Sequence, residues 1–351
     1  MLQILIGLAT LLVGAEALVR GASRLAAAAG VSSLVVGLTV VAFGTSSPEL
    51  AVSLLASAHG QADIALGNVV GSNIFNVLFI LGISAIVVPL AVSSQLVRLD
   101  VPMMILASCL LPVAALDGSI GRIEGLAFMG LIAVYTVTLI RLGRRHGYAG
   151  VEREERAARP PVRVGLQVAL VIGGLVLLVA GSRWLVNGAV AVATALGVSE
   201  VVIGLTIVAA GTSMPELATS VVAAVRGERD IAVGNIVGSN IFNILGILGL
   251  TSVISPGGLT VAPALVRFDI PVMMGVAIVC LPIFFTGARV NRWEGFLFVG
   301  YYVAYVVDVI LAATGQDVLG AFRVAMLVFV VPLTLLGLGL SAAASLRTRR
   351  G

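Results

Sequence analysis

Charged residues are scarce in this sequence of 351 residues: only 11% are Asp, Glu, Lys or Arg, whereas 59% are hydrophobic. A soluble domain usually contains about 25% charged residues. Long apolar runs recur from end to end, and each approaches the roughly 20 residues that cross a bilayer as a helix. The composition therefore excludes a soluble globular protein and predicts an all-α polytopic membrane protein.

Lysine is absent, and all 21 basic residues are arginine. No aromatic-rich basic patch of the kind that binds single-stranded nucleic acid is present, so no nucleic-acid partner is expected. The two cysteines, Cys109 and Cys280, lie inside apolar runs. Two such residues provide neither a disulfide framework nor a zinc site, so we interpret both as buried thiols. No cofactor is expected.

Eleven apolar segments are candidate membrane spans. The first has no basic region before it, so we interpret it as a membrane helix rather than a cleaved signal peptide. The predicted spans cover residues 2–20, 32–58, 63–90, 100–116, 123–142, 165–186, 198–225, 230–254, 269–286, 294–314 and 321–346.

The arginines predict how these spans are oriented. With the N-terminus outside, seventeen arginines fall on the cytoplasmic side and four fall outside, in agreement with the positive-inside rule. The polar stretch 143–163 contains Pro160-Pro161 and is predicted to be a cytoplasmic linker. It separates a first half (1–142) from a second half (164–314), and an extra helix with a basic tail (315–351) follows.

Two segments of the chain are copies of each other. Residues 37–77 read GLTVVAFGTSSPELAVSLLASAHGQADIALGNVVGSNIFNV, and residues 204–244 read GLTIVAAGTSMPELATSVVAAVRGERDIAVGNIVGSNIFNI, at a constant offset of 167. The two copies begin in spans two and seven, an offset of five spans, and because this offset is odd the copies enter the membrane from opposite sides. Such inverted repeats are typical of secondary transporters with a site at the midplane between them. The alternative is a duplication that serves packing alone.

Each copy places a proline followed by a glutamate in the middle of a span, as Pro48-Glu49 and Pro215-Glu216. Proline has no N–H to donate, so each helix is predicted to break and to free the carbonyl of Gly44 or Gly211. A carboxylate at the bilayer centre costs several kcal/mol unless a partner compensates for its charge. No arginine lies at the same depth, so a bound cation is the simplest compensation; a pair of protonated structural acids is the alternative.

A polar stripe follows in the next span of each copy. Its members recur every four residues and therefore share one helix face. They are Asn68, Ser72 and Asn76 in the first copy and Asn235, Ser239 and Asn243 in the second, with Asn73 and Asn240 close beside them. Hydrogen bonding between helices is the alternative role for any single asparagine. The motifs Gly67-x-x-x-Gly71 and Gly234-x-x-x-Gly238 predict close packing against the broken helices.

The candidate ligands are all oxygens, from carboxylates, hydroxyls, amides and freed carbonyls. Calcium and sodium prefer such ligands, whereas zinc, copper and iron favour nitrogen or sulfur. The two glutamates can neutralise one divalent ion or two monovalent ions, so competition between calcium and sodium is physically natural.

The remaining acids are expected to be structural. Asp63, Asp100, Asp230 and Asp269 precede apolar runs and are predicted to be helix N-caps. Glu16 and Asp308 lie inside apolar runs without a counterpart in the other copy, and snorkelling or local pairing is expected for both rather than a role in transport.

The two G-T-S-x-P-E motifs, each followed by G-N-[VI]-[VI]-G-S-N-I-F-N, closely resemble the alpha repeats of the cation/calcium exchanger superfamily, and most of all its prokaryotic sodium/calcium antiporters. The resemblance covers roughly residues 1–314. It implies two inverted five-helix halves, ten core spans in all, with two long tilted helices, spans one and six, sliding against the other eight. It also implies ion ligands from Thr45, Ser46, Glu49, Ser72 and Asn76, from Thr212, Ser213, Glu216, Ser239 and Asn243, and from the backbone of Ala42 and Ala209, supported by Asn68 and Asn235.

Two departures from the family pattern stand out. The eleventh span exceeds the usual ten. Asn76 and Asn243 stand where some members have aspartate, which makes potassium cotransport less favoured.

The expected protein is therefore an antiporter, not an enzyme. It is expected to exchange calcium for sodium by alternating access in the plasma membrane of a bacterium or archaeon. Its partners would be calcium, sodium and the lipid bilayer, and the sequence leaves its oligomeric state open. Proton/calcium exchange is the nearest alternative, because protons can compete for the same glutamates. A passive cation channel is a more distant one.

Overall fold

The computed structural model describes residues 2–147, 163–285, 287–332 and 334, and nearly all of them lie in helices. In chain order the helices are α1 (Leu2–Ala29), α2 (Ser33–Thr45), α3 (Ser47–Ala58), α4 (Ala62–Val87), α5 (Leu96–Ala114), α6 (Arg122–Gly147), α7 (Val164–Ala195), α8 (200–211), α9 (Met214–Val225), α10 (Arg229–Ile254), α11 (Leu265–Phe285), α12 (Arg292–Ala313) and α13 (318–332). Four two-residue strands join them: β1 (Leu90–Ala91), β2 (Ser119–Ile120), β3 (Leu259–Thr260) and β4 (Arg289–Val290).

Within these described ranges, eight helices are long and apolar enough to cross a membrane, and the bent pairs α2–α3 and α8–α9 raise the number to ten. This confirms the polytopic all-α class and agrees with ten core spans. Helix α13 begins at the predicted eleventh span, but residues 333 and 335–346 of that span lie outside the described part. Residues 148–162 of the predicted linker also lie outside it.

Helices α1 and α7 are the longest, with 28 and 32 residues. At 1.5 Å per residue they measure about 42 and 48 Å, so they must tilt to fit a hydrocarbon core of about 30 Å. They pack along each other with glycines at the contact: a Cβ on Gly14 would lie 2.9 Å from the carbonyl oxygen of Gly174. These are the two long helices that the family resemblance implied.

The strands show that the two repeats are inverted. Strand β1 precedes α5 and β2 follows it, so the two lie at opposite ends of this span. Strand β1 pairs with β4, whereas β2 pairs with β3, both antiparallel. In the second repeat β3 precedes α11 as β1 precedes α5, yet β3 lies beside β2. Equivalent strands therefore lie at opposite ends of the molecule, as parity predicted.

Three pairs of π-helical segments occupy equivalent places in the two repeats. They are Gly37–Val41 and Gly204–Val208, Asn76–Leu81 and Phe242–Leu248, and Leu96–Asp100 and Leu265–Asp269. Such segments are rare and often lie at functional sites. The sequence pattern did not reveal them.

The prediction that four aspartates cap helices is wrong. Asp63 and Asp230 lie inside the first turns of α4 and α10. Asp100 and Asp269 lie inside continuous spans, because the π-helical segments extend α5 and α11 toward the strands. Each accepts a hydrogen bond from a tyrosine hydroxyl, Asp100 from Tyr135 over 2.9 Å and Asp269 from Tyr305 over 2.8 Å.

Both unmatched acids pair locally, as expected. Glu16 forms ion pairs with Arg20 of its own helix and with Arg226 after α9. Asp308 accepts two hydrogen bonds of 2.8 Å from Arg323 of α13.

Candidate cation-binding site

The two helix breaks face each other across the interface between the repeats. The chain bends by 44° between α2 and α3 and by 59° between α8 and α9. Pro48 and Pro215 lie in the first turns of α3 and α9, where a missing N–H costs nothing, but they prevent α2 and α8 from continuing. Each glutamate follows its proline and is only 1% exposed.

Each glutamate is held by the opposite repeat. The hydroxyl of Ser213 donates to Oε1 of Glu49 over 2.7 Å, and the hydroxyl of Ser46 donates to Oε1 of Glu216 over 2.9 Å. The serine hydroxyl of Ser72 lies 3.2 Å from that of Ser213. The two carboxylates therefore belong to one cluster, in which both repeats contribute to each half.

Neither carboxylate has a cationic partner in the described part of the chain. The ion pairs formed there join Glu16 to Arg20 and Arg226, and Asp308 to Arg323. Oε2 of Glu49 and Oε2 of Glu216 are buried without a hydrogen-bond partner. Leaving a buried charge uncompensated in this way is strongly destabilising, which means that something else must neutralise the two glutamates.

Further buried oxygens of the predicted site also lack partners. Buried polar atoms in proteins are normally hydrogen-bonded. The atoms are Thr212 Oγ1, Ser239 Oγ, Asn76 Oδ1 and Asn243 Oδ1. With the two glutamate oxygens they make six buried oxygens without partners, all on residues that the sequence singled out. Across the described ranges no three His, Cys, Asp or Glu side chains converge, so the cluster combines two charges with neutral oxygens, as a hard cation such as calcium or sodium requires.

Asn68 and Asn235 support the glutamate helices. Asn68 Nδ2 lies 3.2 Å from the carbonyl oxygen of Glu49 and 3.0 Å from Ser53 Oγ. Asn235 repeats these contacts with Glu216 and Ser220, at 3.4 and 3.0 Å. Sequence reasoning missed the two serines, although each lies one turn after its glutamate at the offset of 167.

Thr45 joins the second repeat to the first broken helix. Its hydroxyl lies 3.0 Å from Asn235 Oδ1 and 3.1 Å from the carbonyl oxygen of Val41. Thr45 is 1% exposed, whereas its counterpart Thr212 is half-buried.

The backbone oxygens differ from the prediction. The carbonyl of Gly211 is not free, because it accepts a hydrogen bond of 2.6 Å from Ser182 of α7. The carbonyl of Ala42 accepts one of 3.0 Å from the amide of Ser46. Ala42 is buried and Ala209 is exposed, so the two alanines are not equivalent in this conformation.

The packing of the glycine motifs explains this asymmetry. A Cβ on Gly238 would lie 2.7 Å from Cα of Leu38, so α10 packs tightly on α2. A Cβ on the equivalent Gly71 would meet no described atom within 4 Å, and the same holds for Gly67. Close packing is therefore confirmed for the second motif and wrong for the first.

The outer part of α8, around Gly204, lies apart from α4, whereas the equivalent part of α2 lies against α10. A Cβ on Gly37 would lie 3.0 Å from Ile231, but one on Gly204 meets no described atom within 4 Å. Val208 is 48% exposed and its counterpart Val41 is fully buried. The site is thus closed at the end of the molecule that carries β1 and β4, and a gap between α4 and α8 opens toward the end that carries β2 and β3.

Comparison with known proteins places the chain in a family. Residues 1–141 and 166–311 match the model of the sodium/calcium exchanger protein family. The chain is 38% identical to putative antiporter CaxA of Alkalimonas amylolytica over 86% of its own length and 96% of that protein. It is 35% identical to sodium/calcium exchanger MaX1 of Methanosarcina acetivorans over 87% of its length and 97% of that protein.

The fold agrees with that result. A solved structure of the sodium–calcium exchanger NCX_Mj, soaked with zero Na⁺ and Ca²⁺, is similar to this chain with a TM-score of 0.74 and 31% sequence identity. The match covers 87% of this chain and 97% of that one. The chain therefore belongs to the sodium/calcium exchanger family, and it is a multi-pass membrane transporter of the cation/calcium exchanger superfamily rather than an enzyme.

Proposed function

We propose that this protein exchanges calcium for sodium by alternating access at the cluster around Glu49 and Glu216. The observation that carries the proposal is the set of six buried oxygens without partners, two of them on carboxylates that no arginine neutralises within the described ranges. Calcium takes six to eight oxygen ligands in flexible geometry. A calcium ion would neutralise both glutamates, and sodium ions would compete for overlapping positions.

Binding at this site is coupled to conformation through charge. Without cations, the cluster carries two negative charges that resist passage through an apolar barrier. With cations bound, the cluster is neutral, and α1 and α7 can move along the other spans. We propose that the ligands are the residues that the family resemblance implied. The backbone carbonyl oxygens of Ala42 and Ala209 would contribute only in a conformation in which the helix that carries them is open to the ion.

We also propose that the N-terminus lies outside, which the distribution of arginines supports. In that orientation, the gap between α4 and α8 faces the extracellular side and the packed contact between α2 and α10 seals the cytoplasmic side. This conformation would accept ions from outside the cell.

Purified protein in liposomes provides the decisive test. Calcium uptake is measured with an imposed sodium gradient, with an imposed pH gradient, and with neither. Uptake driven by the sodium gradient alone supports the proposal. Uptake driven only by the pH gradient shows proton/calcium exchange, to which the same carboxylates are suited. Uptake that is independent of any counter-ion shows a passive channel and overturns the exchange mechanism.

A further inference from the structure

Four asparagines outside the glutamate pair form a hydrogen-bonded group between α4 and α10. They are Asn73, Asn76, Asn240 and Asn243, and none is more than 2% exposed. The contacts cross from one repeat to the other, so the group lies where the two repeats meet. Asn76 and Asn243 belong to the proposed ligands, whereas Asn73 and Asn240 do not.

The contacts of Asn73 give its amide a direction. Its Nδ2 donates to the backbone carbonyl of Asn240 over 3.2 Å. A carbonyl oxygen has no proton to donate, so only the nitrogen end of Asn73 can face it. The oxygen end of Asn73 then accepts a hydrogen bond of 3.0 Å from Nδ2 of Asn243. Because the nitrogen of Asn243 is committed to Asn73, its oxygen points elsewhere and remains unpartnered.

The contacts of Asn240 fix the direction of the Asn76 amide in the same way. Nδ2 of Asn240 lies 3.5 Å from the thioether sulfur of Met104, which can only accept. Oδ1 of Asn240 accepts a hydrogen bond of 3.1 Å from Nδ2 of Asn76. The oxygen of Asn76 is again the end left buried without a partner.

We infer that Asn73 and Asn240 are positioning residues that hold the amide groups of Asn243 and Asn76 with their oxygens presented to the transported cation. This inference rests on the proposed function. An amide has one end that attracts a cation and one end, the NH₂ group, that repels it. Asn76 lies four residues beyond Ser72 on the same helix face, about 6 Å along the axis, so a reversed amide would place its NH₂ group beside the ion cluster.

The group explains how asparagine, rather than aspartate, could serve as a ligand at these two positions. A carboxylate presents an oxygen in either orientation and needs no such control. An amide ligand is useful only when its neighbours fix its direction.

The test is a double-mutant cycle on the full-length protein in detergent, with calcium binding measured directly by equilibrium dialysis. Asn73→Leu removes the acceptor for Asn243 at similar volume and should weaken calcium binding by about tenfold, the loss of one oriented ligand. In the Asn243→Asp background the same Asn73→Leu change should alter binding by less than about twofold, because both carboxylate oxygens are equivalent. Ser84→Ala is the matched control: Ser84 is a buried, unpartnered serine of the same helix outside the cluster, and its loss should leave binding unchanged.

The outcomes separate the inference from the function. Equal weakening by Asn73→Leu in both backgrounds would mean that Asn73 only packs the helices, and it would overturn the inference alone. Unchanged binding in Asn73→Leu would overturn it as well. Absence of calcium binding by the parent protein would overturn the proposed function itself.

Discussion

Ser213 donates a hydrogen bond of 2.7 Å to Glu49, although 164 positions separate the two residues in the chain. The bond crosses from the second repeat to the first, and Ser46 of the first repeat donates the equivalent bond to Glu216 of the second. A change at either break therefore alters the surroundings of the carboxylate in the opposite repeat. This reciprocity determines what each substitution should do.

Glu49→Gln should abolish calcium exchange while the protein stays folded. The amide keeps an acceptor for Ser213 but removes one of the two charges, and removing one partner of a buried charge interaction costs about 3–5 kcal/mol, or at least 100-fold in affinity. Calcium uptake into liposomes measures the loss, and thermal unfolding in detergent checks the fold. Glu216→Gln should behave alike; sodium-driven uptake that survives in both variants would contradict the site.

Gly71→Leu should separate ion binding from transport. In this conformation a side chain at Gly71 meets no described atom, so calcium binding from the open end should be retained within about twofold. In the opposite conformation symmetry predicts that Gly71 packs on Leu205, as Gly238 packs on Leu38 here. An added side chain would prevent that contact at a cost of about 1–3 kcal/mol, or about fivefold to 150-fold in exchange rate. Parallel binding and flux measurements check this, and a normal exchange rate would refute it.

Gly238→Ala should have the opposite effect. Its Cβ would lie 2.7 Å from both Cα and the carbonyl oxygen of Leu38, so the contact between α2 and α10 must loosen. We expect the sealed end to open, and a cysteine placed at Leu34 should react faster with a water-soluble thiol reagent than it does in the parent background. Equal labelling rates would show that the contact does not form the seal.

Glu16 should favour the conformation described above. Its ion pairs with Arg20 and Arg226 connect α1 to the end of α9. The equivalent position in the second repeat is Arg183, so the opposite end has no matching acid. Ion pairs at this exposure contribute about 0.2–1 kcal/mol, so Glu16→Gln should change the ratio of the calcium half-saturation constants at the two membrane faces by up to about fivefold. High salt should diminish the change, and a ratio that stays constant at low salt would exclude the role.

Arg323 should anchor the beginning of the eleventh span. Asp308 is 3% exposed and depends on Arg323 for its charge partner, and the guanidinium also lies 4.7 Å from the ring of Phe268. Arg323→Gln should lower stability by about 2 kcal/mol, because it leaves a buried carboxylate alone. Asp308→Asn combined with Arg323→Gln should recover most of that loss in thermal unfolding, whereas additive losses would argue against the pairing.

The repeat, the broken helices and the polar stripe could all be found in the sequence, because each depends on local chemistry at a constant offset. The family resemblance added the individual residues that we propose as ligands. Contacts between distant segments could not be found in the same way. Nothing near Ser182 in the chain indicates that its hydroxyl takes up the carbonyl of Gly211.

The asymmetry between the repeats was also beyond the sequence. Gly71 and Gly238 lie in almost identical surroundings along the chain, yet only Gly238 is packed against a neighbour among the described atoms. A transporter sequence must be compatible with both conformations. Its pattern therefore shows the symmetry between the two repeats and not the difference between them in one conformation. Which end is open is a property of one state.

The short strand pairs at the two ends have a mechanical consequence. Main-chain hydrogen bonds between β1 and β4 and between β2 and β3 fasten the repeats together at both surfaces. A motion that separates the two halves would break the hydrogen bonds of one of these strand pairs. Neither strand pair includes a residue of α1 or α7, so a displacement of these two helices along the others would leave both strand pairs intact.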